Sequence, residues 1–275
     1  MKIYKTAQGI IIESESGFFR SKEKNWNTLV NSENLFQKLQ EEVSNSEKID
    51  WSPKEIAAPI GTQEIWAAGV TYFRSREARM EESKESGAAV FYSKVYEAER
   101  PELFFKSTYY RVAQPNGKVH IRKDSKWNVP EPELTLFINS AGHIAGYTIG
   151  NDMSSRDIEG ENPLYLPQAK SYDYAAAIGP CLFVPEKPIH PDTKIHMKIE
   201  RYGKTIFEGE ISINQMKRSH TELAGYLFRE MAFPDGVYLM TGTCLVPDDS
   251  FTLHDGDKIS IEIDEIGTLV NIVGR

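Results

Sequence analysis

Five strand-like runs crowd the last hundred residues, at 194–201, 205–213, 237–239, 258–263 and 267–273, and one helix-patterned stretch, 221–233, interrupts them. That content predicts a mixed β domain in which a rolled or sandwiched sheet carries a few helices. From Glu64 onward the chain is mostly strand-like. The exception is 73–99, rich in Glu, Lys, Arg and Ala, which reads as a helix broken near Gly87: either a solvated surface helix or a lid beside a site. Ahead of this body, residues 1–44 combine short alternating strands at Lys2 to Lys5 and Gly9 to Ile12 with an amphipathic helix from Asn34 to Val43. Residues 45–62 carry two prolines and a glycine among Ser and Asn, the chemistry of a linker. The expected organisation is a small α+β N-terminal subdomain over 1–62 and a catalytic domain over 63–275.

Composition narrows the function classes. A formal charge of −8, with no Lys/Arg stripe interleaved with aromatics, argues against a nucleic-acid partner. No apolar run reaches membrane-spanning length and no charged-then-apolar N-terminal signal stands out, so a cytoplasmic protein without a membrane partner is expected. Cys181 and Cys244 are the two cysteines, far apart and outside any zinc-ligand spacing. The histidines His120, His143, His190, His196 and His254 fall at strand ends or turns, and His220 precedes a helix.

The most informative segment is 127–157, WNVPEPELTLFINSAGHIAGYTIGNDMSSRD, where two strand runs, 134–138 and 144–149, flank Asn139-Ser140-Ala141-Gly142 and predict a hairpin. Glu131 and Glu133 stand two apart and point to one side. With Ser140 and Ala141 as the turn, Glu131 lies opposite about Gly150 and close to Asp152. Three carboxylates gathered there would resist ionisation without a cation, and oxygen ligands suit a hard divalent ion such as Mg²⁺, with Mn²⁺ or Ca²⁺ as substitutes. The bland alternative is a Glu-x-Glu on a solvated edge strand, which Pro132 also suits. Lys106, Arg156 and Lys170 are natural partners for an anionic ligand at such a site.

These segments resemble the fumarylacetoacetate hydrolase family. The resemblance rests on Gly69-Val70-Thr71-Tyr72, Phe104-Phe105-Lys106-Ser107, Glu131-Pro132-Glu133-Leu134, the run Gly146 to Asp157 (GYTIGNDMSSRD), Lys170-Ser171-Tyr172-Asp173, Ile178-Gly179-Pro180, Thr241-Gly242-Thr243 and Gly267-Thr268-Leu269, in order along the chain. It implies the family's β-roll fold, a homodimer or homotetramer, Mg²⁺ held by Glu131, Glu133 and Asp152, and Lys106, Lys170 and Thr243 facing a small 2-oxo acid.

One departure narrows the chemistry. Family hydrolases carry a histidine three residues after the tyrosine of the Gly-x-x-Tyr segment; here that position is Ser75, and neither it nor Arg74, Arg76 or Glu77 replaces an imidazole poised near neutrality. A narrower resemblance, to the branch that dehydrates 2-keto-3-deoxy-D-arabinonate, rests on the runs 95–106 (VYEAERPELFFK), 129–134 (VPEPEL) and above all 161–170 (ENPLYLPQAK). It implies loss of water to 2,5-dioxopentanoate, with Lys170 as the base at C3 and Glu102 as the acid at the C4 hydroxyl. Other readings stay open at each position. Lys170 could pair with the substrate carboxylate, Glu102 could orient Lys106, Arg156 could bind substrate or form an ion pair with Asp157 behind Asp152, and Thr243 could hold the carboxylate or pack. The rival functions are a hydrolase or decarboxylase on the same scaffold and a non-catalytic binding protein. Pro163 and Pro167 are expected to keep 159–169 a non-helical loop that projects Lys170 inward.

Overall fold

The computed structural model describes residues 1–72 and 95–274. The helix or lid expected at 73–99 and the departure at Ser75 lie almost wholly outside the described residues; only 95–97 of that stretch are seen as helix.

Strand after strand forms where β-branched and aromatic residues alternate. In chain order they are Lys2–Thr6 (β1), Gly9–Ser14 (β2), Gly17–Arg20 (β3), Lys48–Ile49 (β4), Glu64–Gly69 (β5), Glu102–Ser107 (β6), Val112–Ala113 (β7), Lys118–His120 (β8), Asn128–Val129 (β9), Pro132–Ile138 (β10), Ile144–Asp152 (β11), Ser154–Ser155 (β12), Ala176–Phe183 (β13), Lys194–Arg201 (β14), Lys204–Ser212 (β15), Val237–Met240 (β16), Lys258–Ile263 (β17) and Gly267–Gly274 (β18). The larger sheet runs β4-β3-β2-β1-β13-β11-β10-β16-β5-β6, with β7 alongside β13; a second sheet runs β15-β14-β17-β18-β8. Leu134, Leu136, Ile149 and Ala177 of the first sheet meet Ile195, Met197, Ile259, Ile261 and Leu269 of the second in one buried core.

The opposite face of the larger sheet is covered by two helices, Trp26–Val30 (α1) and Leu35–Ser44 (α2). Trp26, Leu29, Val30, Leu35 and Leu39 share a second core with Ile178, Leu182, Tyr238 and Met240. The first strands therefore continue the larger sheet, and β1 pairs directly with β13. The stretch 45–62 is not a bare tether, since β4 pairs with β3 and Ala57 bridges to Lys5.

Two local expectations change. The β10–β11 turn is longer than two residues: Asn139 closes on His143, its side-chain oxygen accepts from the backbone N–H groups of Ala141 and His143, and Gly142 takes φ +81. A bulge then follows Phe137. Together they move the register two residues from a Ser140-Ala141 turn, pairing Glu133 with Gly150 and setting Glu131 directly across from Asp152. Nor is β10 an edge strand, because β11 and β16 flank it; Pro132 fits as its first residue, before the pairing with β16 begins at Thr135.

Further on, the expected non-helical loop at 159–169 is largely helical. Arg156–Glu161 forms a short helix (α3), Pro163–Tyr165 a 3₁₀ turn and Leu166–Lys170 another short helix (α4). Both prolines occupy first-turn positions, where a missing N–H costs nothing, so they start these turns. The helix expected at 221–233 is shorter, His220–Leu227 (α5), capped by Ser219.

Candidate metal centre

Glu131 exchanges both backbone hydrogen bonds with Asp152, at 3.2 and 2.9 Å, so the hairpin seats their side chains opposite each other. Glu133 follows one pleat later. Oxygen atoms of the three carboxylates lie within 4.8 Å of one another, and all three residues are buried. Burial, reinforced by the Asp152 and Glu131 charges, pushes the Glu133 carboxyl well above the usual carboxylate range. An all-oxygen, crowded, desolvated set of this kind fits a hard divalent cation.

Three buried cations surround the cluster. Arg156, first residue of α3, donates to Glu131 at 2.8 Å. Lys170, last residue of α4, reaches Glu131 at 2.6 Å and Asp152 at 3.2 Å, and its ammonium lies 5.9 Å from the centre of the Phe104 ring. Lys106, on β6, lies 2.5 Å from Asp152. These contacts serve Glu131 and Asp152, whereas Glu133 is held by a neutral donor, the backbone N–H of Gly242, at 2.6 Å.

A cavity of about 600 Å³ opens onto the cluster, lined by Glu131, Glu133, Asp152, Arg156, Lys170 and Thr243 together with Phe104 and Trp127. Its far wall comes from β15, at Phe207 to Glu210, and from 244–249. Thr243 is nearly buried, and its hydroxyl accepts from the N–H of Leu245. No histidine is among the described residues that line the cavity.

Two expected placements are corrected. Lys106 does not face the cavity: it is fully buried, and its three N–H donors go to Asp152, the Met153 carbonyl at 2.9 Å and the Lys170 carbonyl. Its burial lowers the ammonium pKa, against the pull of Asp152. It stands behind the site, fixing a ligand and the end of α4. Arg156 reaches Glu131 and, at 3.9 Å, Glu159, whereas Asp157 accepts from the Ser125 hydroxyl and the Lys126 N–H. Glu102 pairs across strands with Gly69, and a Cβ at Gly69 would fall 2.0 Å from its carboxylate oxygen. Gly69 lines the cavity and Glu102 packs against Gly69, without itself being among the lining residues.

The donor missed in the sequence is the Gly242 N–H. It belongs to the Thr-Gly-Thr turn, but a main-chain group leaves no residue-type signature, and only the φ of +92 at Gly242 marks the turn as special.

Fold and site define a family. Residues 65–274 match the family model described as fumarylacetoacetate (FAA) hydrolase C-terminal, and the chain belongs to the fumarylacetoacetate hydrolase family. Among its relatives, the probable 2-keto-3-deoxyxylonate dehydratase of Haloferax volcanii is 47% identical over 221 residues, covering 80% of this chain and 75% of that one. The 2-dehydro-3-deoxy-D-arabinonate dehydratase of Saccharolobus solfataricus is 43% identical over 223 residues, 80% and 74% of the two chains. A solved structure of 2-keto-3-deoxy-D-arabinonate dehydratase complexed with magnesium and 2,5-dioxopentanoate covers 99% of this chain and 98% of its own, at a TM-score of 0.81 and 34% identity.

Proposed function

We propose that the chain is a Mg²⁺-dependent hydro-lyase that converts 2-keto-3-deoxy-D-arabinonate, the 2-keto-3-deoxypentonate on which D-arabinonate and D-xylonate degradation converge, to 2,5-dioxopentanoate and water. The observation that carries it is a buried amine set inside the carboxylate cluster: Lys170 contacts Glu131 and Asp152 while lining the substrate-sized cavity. The site thus sets a proton carrier against the residues that would hold an ion able to acidify the carbon beside a 2-oxo group. The dehydratase relatives support the same reading.

Glu131, Glu133 and Asp152 would hold the ion, and Mg²⁺ bound there supplies Lewis-acid polarisation of the 2-oxo group. Arg156 adds positive charge on the side of the substrate carboxylate, and Thr243 offers it a hydroxyl. Lys170, in its unprotonated form, takes the C3 proton; Glu102 gives a proton to the departing C4 hydroxyl. Lys106 keeps Asp152 and the end of α4 in place throughout. Water loss leaves a C3=C4 double bond conjugated to the 2-oxo group; loss of a proton from C5 and return of one to C3 gives the C4=C5 enol, which tautomerises to the aldehyde.

The test is to incubate the protein with 2-keto-3-deoxypentonate and Mg²⁺ and follow the products by NMR. A new aldehyde with all five carbons retained, abolished by EDTA, supports the assignment; loss of carbon or no aldehyde sinks it. We further propose a cytoplasmic homodimer or homotetramer, with 1–62 as an N-terminal unit built into the sheet of the catalytic domain of 63–275. Two buried free cysteines support a reducing compartment, exposed Tyr109, Tyr110 and Leu164 support self-association, and the family match beginning at residue 65 supports the boundary.

A further inference from the structure

Glu133 is the one ligand of the three whose described polar contact is a neutral backbone donor, and that donor does not stand alone. The N–H of Gly242 and the C=O of Thr241 are the two ends of one peptide group. The N–H donates to Glu133 at 2.6 Å, and the C=O accepts from the Thr71 hydroxyl, also at 2.6 Å. Thr71, Thr241 and Glu133 are all buried. The result is a straight relay: hydroxyl to carbonyl, across the amide, N–H to carboxylate.

Both ends of the relay are fixed. At Gly242, a Cβ would fall 2.1 Å from the Thr71 hydroxyl oxygen and 2.9 Å from the Ala68 carbonyl, so glycine is what lets the peptide press against Thr71. At the other end the Thr71 carbonyl accepts from the Lys217 N–H at 2.9 Å, and Tyr72 bridges to Met216. Between β5 and Thr71, Val70 is held at φ +52, a costly conformation for a β-branched residue that persists only where its surroundings over-determine it.

We infer that Thr71 is a positioning residue for the metal ligand Glu133, acting through the 241–242 peptide although it touches neither the ligand nor the cavity. This rests on the reading of Glu131, Glu133 and Asp152 as the Mg²⁺ site. A hydrogen bond to the carbonyl locks the peptide plane and polarises its N–H. The N–H in turn favours the ionised, correctly turned carboxylate, as the groups behind metal ligands generally do.

The experiment compares the full-length wild type with Thr71→Val, Thr71→Ala and Thr71→Ser, measuring MgCl₂ binding by calorimetry and folding by circular dichroism melts. Removing the hydroxyl in the Val or Ala variant should raise the Mg²⁺ Kd about 10-fold or more, as loss of such a supporting group commonly does. Ser, which keeps the hydroxyl but loses the methyl, should bind Mg²⁺ like the wild type even if its melting temperature falls. A merely structural role predicts the opposite pattern: melting temperatures that drop with side-chain loss and Kd values that do not follow the hydroxyl. Unchanged Kd in a folded hydroxyl-free variant, or equal weakening in Ser, overturns the inference. Wild-type protein that binds no Mg²⁺, or binds it equally as Glu133→Gln, overturns the metal reading on which it rests.

Discussion

Lys170 sets its amine against the Glu131 and Asp152 carboxylates with its aliphatic stem shut away from water, so the proton transfer proposed for it would depend on the integrity of the cluster. We predict that Lys170→Ala abolishes exchange of the C3 proton into D₂O, read by NMR; exchange at the wild-type rate would make the base assignment wrong. Glu102→Gln should leave that exchange intact while slowing release of the aldehyde by about 100-fold or more, the usual cost of losing a general acid. Glu133→Gln keeps shape but not charge, and should remove Mg²⁺-dependent turnover and calorimetric Mg²⁺ binding together. At this scale the proximity of the carboxylates was legible: Glu-x-Glu on a strand is a same-side pair, the hairpin pattern put Asp152 close by, and the family resemblance proposed Mg²⁺ for the three. What could not be read was long-range hydrogen bonding. Lys106 carries a charge that suits an acidic substrate, yet acceptors from two distant segments, Asp152-Met153 and Lys170, consume its donors, and no local pattern announces them.

Among the elements, the β10–β11 hairpin sets the geometry of the carboxylate cluster, and its strands anchor in the core through residues such as Leu134, next after Glu133, which is fully buried in the core shared with the second sheet. Leu134→Ala should cost about 2–5 kcal/mol of unfolding free energy, as large-to-small core changes do, measured by urea titration. The strand runs at the C-terminal end were visible because alternation there survives burial on one face: β14, β17 and β18 each alternate buried with less buried residues. The hairpin register was not, because a left-handed Gly142 and a bulge each add displacement that strand periodicity does not record. The turns at 156–170 were missed for a related reason: prolines read as helix breakers are also helix starters, and which they do depends on the residues before them.

For the molecule as a whole, the N-terminal strands and helices are half of a core, not an ornament. Deleting residues 1–62 would bare one edge of β13 and one face of Ile178, Leu182, Tyr238 and Met240, so the truncated protein should be insoluble or aggregate, as seen by size-exclusion chromatography. Because the ligand cluster exists only in the folded chain, Mg²⁺ at 100 times its Kd should stabilise folding by about 2.7 kcal/mol. A calorimetric melting temperature indifferent to Mg²⁺ would count against the site. The pairing of β1 with β13 has one more consequence, for the order of events in synthesis. β1 has β2 on one side but its other neighbour, β13, lies about 180 residues downstream, and the backbone nitrogen of Met1 donates to the carbonyl of Val184. Until that neighbour is translated, the β1–β2 hairpin carries an unpaired flank, so this sheet closes late.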